Sequence, residues 1–542
     1  MREPFYMVDD TVILNFSNEY HQRLDQLVSS NGFKLFLERY LKDLAVRDII
    51  TFEWLTKSRK LEEMINEIVV LTKQLLVLDI DEIYNPLVDV LNRTKTLFVL
   101  EDAYNYWRSK QRFSLVNASS GNLSFNSFIE ADSKYNQLIL QLYRTCQKKL
   151  RGKKSNVYRQ LQAGTNGGCI IKRYKLEFFN GYAFLKNVMF INTVILKTPM
   201  MLHHKTSEAA FDFKQLQSNP IKNAGINQSD WLCFPANVGD LLCFVYLHKD
   251  YIANGLALAN LFDLATEEKC VNMKPDIICI YGSQDENSSY GYYYDDVNNI
   301  HVGVIPYSFR INDIVFLKEA VLTLHSLSRV NKNQLSVKGT LIRLCFSDMT
   351  VKTVFLTGVK SKIIEVIETI RKLSLQDNSK KRLVKVEVIF DDAGSLKLVN
   401  SQVVINGSEI GSLISLDQAA KTLDHKDIER SIFINPQTED AKAIIPITSY
   451  DLICASHKLD MVLYVNSDAQ KTGLEKIADI KTFKEAFVSK RLNKSEKLLV
   501  DIFSQLIKDE VYIGQLYFYN NAGCKDGIIE TAKQLLEMMK EI

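Results

Sequence analysis

Between Thr353 and Glu365 an apolar run stops at a glycine, passes through Lys-Ser and becomes an amphipathic helix: Thr353-Val354-Phe355-Leu356-Thr357-Gly358-Val359-Lys360-Ser361, then Lys362-Ile363-Ile364-Glu365. Thr353 to Leu356 predicts a short strand. Ile363, Ile367 and Ile370 recur at helical spacing and predict a helix over 361–373. In this order, backbone N–H groups and a helix N-terminus can together cradle phosphate. The lysine would reach the β- and γ-phosphates and the serine hydroxyl would hold Mg²⁺. Gly358, Lys360 and Ser361 are therefore the candidate phosphate-binding residues. A bare Gly-x-Lys-Ser also serves as an ordinary helix cap.

About thirty residues on, Val384 to Phe390 predicts a strand that ends at Asp391-Asp392. A carboxylate there could bind a metal ion or accept a proton from a nucleophile, since a hard cation needs oxygen ligands facing the phosphates. Ser361, Asp391 and Asp392 form the candidate metal set. Paired aspartates at a strand end also form turns, so the joint order strand, loop, helix, strand, acid is what points to a site.

The chain around this segment has 542 residues, too many for one ordinary core, and two or three domains are expected. The fold class expected is α/β, mixed α+β overall. Apolar residues at three and four (Leu24, Leu27, Phe33, Phe36, Leu37, Tyr40, Leu41, Leu44) make 1–160 a mainly helical region. From 161 to 334 the period shortens. Val188 to Leu196, Asp240 to Leu247 and Asp276 to Tyr281 read as strands around a helix from Tyr251 to Leu264, giving a mixed α/β domain. The third region, 335–542, carries the phosphate-type motif. A net charge of +3 with no sustained Lys/Arg block argues against a dedicated nucleic-acid surface. No apolar window is long enough to span a bilayer, and the N-terminus lacks a secretory pattern. Nine dispersed cysteines without metal spacing read as reduced thiols, and the expected location is the cytoplasm.

A series of segments then resembles a family. Phe346-Ser347-Asp348-Met349-Thr350-Val351-Lys352 leads into Leu356-Thr357-Gly358. Ile389-Phe390-Asp391-Asp392, Gly407-Ser408-Glu409-Ile410-Gly411 and Arg430-Ser431-Ile432-Phe433-Ile434-Asn435-Pro436 follow, and Ala441-Lys442-Ala443-Ile444-Ile445-Pro446-Ile447-Thr448 closes the series. Together they resemble the P-loop nucleotide domain of ATP-type phosphoenolpyruvate carboxykinases and of the related HPr kinase/phosphorylase, over roughly residues 335 to 470. The resemblance implies phosphoryl transfer between ATP, or another nucleoside triphosphate, and a small anionic substrate, with Mg²⁺ or Mn²⁺. It gives Asp391 or Asp392 the part of metal ligand or base, lets Arg430 contact phosphate, and puts Lys442 where the family has an arginine steadying the transferred group.

Two departures oppose that activity. The family loop has several small residues between its first glycine and Lys-Ser, whereas here Val359 stands alone. A phosphate nest needs several successive N–H groups turned inward. At Lys442 the charge is kept, but the planar fork of arginine is lost. The alternative expectation is a catalytically inactive carboxykinase-like protein with a regulatory or scaffolding role. Four lesser features have bland readings. Gly164 to Gly168 reads as a linker turn, His203-His204 as a surface pair, Lys148 to Lys154 as a solvated helix end, and Tyr290 to Asp296 as a solvated hairpin edge.

Overall fold

The computed structural model describes residues 5–8, 11–15, 21–57, 59–111, 115–117, 125–151, 157–158, 167–202, 213–284, 290–307, 313–377, 379–418, 425–436, 441–466, 472–487, 496–517 and 526–541. The chain is mixed α/β and divides into two compact units, Met1–Ser155 and Asn156–Ile542. His203-His204 and Gly164 to Asn166 lie outside the described residues.

Among its described residues the first unit has a small three-stranded sheet (Phe5–Val8, Thr11–Asn15, Leu115–Asn117) and six α-helices: α1 (Leu24–Ser29), α2 (Asn31–Arg47), α3 (Ile49–Thr56), α4 (Leu61–Val77), α5 (Arg93–Gln111) and α6 (Phe125–Arg151). Ser30 and Asp48 start α2 and α3 by accepting hydrogen bonds from the N–H groups of Phe33 and Thr51, which an N-cap side chain does for otherwise orphaned donors. The helical spacing read from the sequence buries Phe36, Tyr40, Leu41 and Leu44 against Met64, Leu71, Trp107 and Tyr135. In the described part of the basic run, Lys149 pairs with Asp79 and Arg151 with Glu101. These are ion pairs within the unit.

The described residues of the second unit form three sheets. The first is centred on β1 (Met189–Leu196), β2 (Trp231–Val238), β3 (Leu241–His248), β4 (Ile277–Ser283), β5 (Gly291–Asp295) and β6 (Ile300–Pro306), in the order β1-β2-β3-β4-β6-β5. Strands β3, β4 and β6 are parallel, and β3 and β4 are buried at every position, as expected of apolar runs covered on both faces. β2 and β3 turn at Gly239-Asp240 with Gly239 at φ +56. A side chain at Gly239 would meet the Arg329 guanidinium at 2.8 Å. The helices of this part include Ile252–Ala257, α7 (Glu267–Asn272) and α8 (Ile314–Asn331), the last capped by Asp313. β5 is not the solvated edge that the Tyr290 to Asp296 run suggests. It lies between β6 and the short strand Lys214–Gln215, with Asp295 accepting a hydrogen bond from Tyr182.

The second sheet is centred on β7 (Leu335–Phe346), β8 (Val351–Gly358), β9 (Leu383–Val399) and β10 (Gln402–Gly407), with helix α9 (Lys360–Gln376) after β8. The third sheet consists of β11 (Gly411–Ser415), β12 (Ile432–Ile434) and β13 (Lys442–Pro446), joined by Met200–Leu202. A five-residue helix, α10 (Tyr450–Cys454), follows, and β14 (Met461–Asn466) and β15 (Tyr512–Tyr517) continue the second sheet parallel to β8. The expected boundary at 334 falls inside this unit. Met200–Leu202 pairs with Ile432–Ile434, and Ile432, Ile434 and Ile444 enter the core of the first sheet. Among the described residues no helix is long and apolar enough to cross a membrane.

Asp391-Asp392 does not end a strand, because β9 runs through it to Val399. The pairing partner explains this. β7 is twelve residues long and stays in register beyond the pair, with Thr340 opposite Asp391 and Gly339 opposite Asp392. The ladder shifts twice, between Leu341 and Ile342 and between Cys345 and Phe346, both on the side of β7 that is C-terminal to Thr340.

A candidate functional site of interlocked lysines and carboxylates

β8 ends at Gly358 and α9 begins at Lys360, so Val359 is the whole connection. Gly358 has φ +117, and a side chain there would lie 2.3 Å from the Val465 carbonyl of β14. Its glycine is thus required by the close approach of a neighbouring strand and by its backbone conformation. Val359 caps α9 without a side-chain hydrogen bond, and its carbonyl accepts from both Lys362 and Ile363. Ser361 is exposed on the first turn. No run of several successive N–H groups can wrap an anion between a strand end and a helix start one residue apart.

Lys360 turns to the protein. Its Nζ donates to the Leu413 carbonyl at 3.1 Å and pairs with Asp391 Oδ2 at 3.0 Å. Asp391 also accepts from Thr340 Oγ1 on Oδ1, at 2.7 Å, and from Ser412 on Oδ2. Burial opposes the Asp391 charge. Lys360 and the Ser412 and Thr340 hydroxyls outweigh it and hold the carboxyl below its usual range. Asp392 sits at φ +121, a conformation rare for any side chain, and pairs with Lys318 of α8 and, at 3.4 Å, with Lys338 of β7. Its acidity is strengthened by these lysines and Lys360 against the cost of burial.

Sequence reading missed Lys318, Lys338 and Glu409 as members of this cluster. Glu409 is fully buried, and neither carboxyl oxygen has a hydrogen-bond partner among the described residues. Lys318 Nζ lies 3.3 Å from its Oε1. Burial pushes the Glu409 carboxyl up to about 8, although Lys318 pulls the other way. Backbone bonds fix it there: Ser408 N–H to the Ala393 carbonyl, Gly239 N–H to the Ser408 carbonyl, and Ile410 N–H to the Leu261 carbonyl. A signal for Lys318 was present in the sequence, because it falls on the apolar face of α8 with Ile314, Leu317 and Val321.

Lys442 and Arg430 are not brought to the lysine–aspartate contacts. Ser412 is opposite Ile445 and Ser415 opposite Lys442 in the β11–β13 ladder. Strand side chains alternate, so Lys442 points to the face opposite Ser412 and its partner Asp391. Arg430 precedes β12, and its carbonyl accepts from Asn260 Nδ2 at 2.8 Å. Its guanidinium makes no ion pair with a described residue. Among the described residues, no group of three or more His, Cys, Asp or Glu side chains is arranged to hold a metal ion.

The residues present do not fit a nucleotide–metal complex as they are arranged. Each oxygen of Asp391 already accepts a hydrogen bond, both Asp392 oxygens face lysines, and the connection before Lys360 lacks a nest. No family model matches this chain, and no curated protein matches it.

Proposed function

We propose that this chain is a carboxykinase-like protein that does not transfer phosphoryl groups, and that its second unit is an assembly or regulatory platform. The observation that carries this reading is the capture of Lys360 by Asp391 and the Leu413 carbonyl across a one-residue connection. A lysine that must reach a β-phosphate is here spent joining α9, β9 and β11. The buried set of Lys318, Asp392 and Glu409 joins α8, β9 and the loop before β11 in the same way. Such a set costs desolvation energy and yields specificity of arrangement.

A second reading, ATP-linked phosphoryl transfer on a small anionic metabolite with Mg²⁺ or Mn²⁺, is favoured by three features. The first turn of α9 is uncapped, its Ser361 is exposed, and the Lys338 side chain is 70% exposed beside Asp392. Titration calorimetry with ATP and ADP, with either metal, separates the two readings. The first expects no heat of binding at millimolar nucleotide from the natural chain or from Lys360→Ala. Micromolar binding that disappears in Lys360→Ala would overturn it and establish the second.

A further inference from the structure

A different lysine of the second unit has neutral partners. Lys269 lies on α7, and its Nζ donates to Asn237 Oδ1 at 2.6 Å and to the Tyr450 hydroxyl at 3.3 Å. The Asn237 amide is aimed by Asp263, whose Oδ2 accepts from Asn237 Nδ2 at 2.8 Å, so the carbonyl oxygen is left for the amine. The Tyr450 ring lies 5.7 Å from Nζ. Tyr450 and Cys454 are four apart on α10, hence on one face of that helix. Amine and phenol from two elements are thus in hydrogen-bond contact, with the thiol on the phenol's side of α10. All three residues are partly exposed, and Lys269 makes no ion pair with a described residue.

We propose that Lys269, Tyr450 and Cys454 form a carbonyl-binding site in which the Lys269 amine adds covalently to a small aldehyde or ketone. The ammonium has no carboxylate in contact to hold its proton. Burial lowers its proton affinity, against the more distant pull of Cys454, Asp240 and Asp263. Tyr450 and Cys454 are both kept protonated by burial, so the phenol is a donor beside the amine. In the step, the amine nitrogen bonds to the carbonyl carbon and the carbonyl π pair becomes a hydroxyl. The proton it takes up is relayed from nitrogen through the Tyr450 hydroxyl. Loss of one water from this carbinolamine gives the imine, with no oxidant or reductant consumed. The inference is independent of the phosphoryl-transfer question, since none of these residues belongs to the Lys360 cluster.

The test treats the full chain with pyridoxal and cyanoborohydride and maps the reduced adducts by mass spectrometry. Lys269 is expected to label at least tenfold faster at pH 7.5 than the exposed Lys458 and Lys476, with a rate–pH midpoint shifted below theirs. Asn237→Asp, which supplies a carboxylate partner, is expected to move that midpoint upward and slow Lys269 alone. Tyr450→Phe is expected to slow Lys269 several-fold and leave Lys458 unchanged, with thermal melting confirming that both variants fold. Labelling of Lys269 no faster than Lys458, or a midpoint unmoved by Asn237→Asp, would overturn the proposal.

Discussion

Lys318 and Lys269 are both lysines drawn out of water, yet their surroundings drive them in opposite directions. Lys318 is fully buried and holds its proton more firmly than a free lysine, because Glu409 and Asp392 outweigh the burial that opposes the charge. Lys269 is only partly buried and holds its proton less firmly, because its contacts are an amide oxygen and a phenol. Depth does not decide the state of a buried amine; the charge of its nearest acceptors does. The first lysine therefore belongs to the architecture and the second to chemistry.

The strongest way to break this contrast is Lys318→Met. It would leave the Asp392 charge buried without the ammonium in contact with it, and a loss of about 3–5 kcal/mol in urea unfolding is expected. A loss under ~1 kcal/mol would mean that the cluster contributes little to the fold. Next comes Glu409→Gln. The Glu409 carboxyl rises from 4.5 to about 8 in the folded chain. Between those values the folded chain keeps a proton that the unfolded chain has released. Stability therefore falls as pH rises through this window, by about 1.4 kcal/mol per unit, and levels off above it. Glu409→Gln should remove that slope and melt higher than the natural chain at pH 8, and a lower melting point at every pH would show an ionised Glu409 instead. The smallest effect belongs to Lys269→Met. Losing hydrogen bonds to neutral groups at a partly exposed site should cost about 1 kcal/mol or less. A loss as large as that of Lys318→Met would erase the distinction between the two lysines.

Much of the scaffold around these lysines was legible from local pattern. The apolar period places α9 one residue from its observed start, and the strands at 188–196, 240–247 and 276–281 lie within two residues of β1, β3 and β4. Local pattern fails where a partner decides. Asp391-Asp392 reads as a strand end because its polarity interrupts an apolar run, but pairing with Gly339 and Thr340 carries β9 on to Val399. The helix expected over 251–264 is shorter, with Ile252–Ala257 helical, Leu258–Asn260 a 3₁₀ turn and Asp263–Leu264 paired to β2. Lys360 reads as a cation at a helix start, but its capture by Asp391 and Leu413 depends on where β9 and β11 arrive from farther along the chain. Lys442 faces away for a reason of strand parity, which becomes visible only once its register with Ser415 is known.

The pairing of Met200–Leu202 with Ile432–Ile434 has a consequence for how the chain is made. From residue 202 to residue 432 the ribosome must add roughly 230 residues, which at about 5–20 residues per second takes on the order of ten to fifty seconds. Until β11 is made the third sheet lacks every strand but its first, and until residue 432 the first strand lacks its partner while the core of the first sheet waits for Ile432, Ile434 and Ile444. The second unit therefore closes late in synthesis, when its C-terminal third emerges, whereas the helical unit has its whole sequence available from residue 155 onward. Release of the finished core is timed by translation through β12 and β13, and a slow codon stretch before residue 432 would lengthen the exposure of the first sheet more than one placed after it.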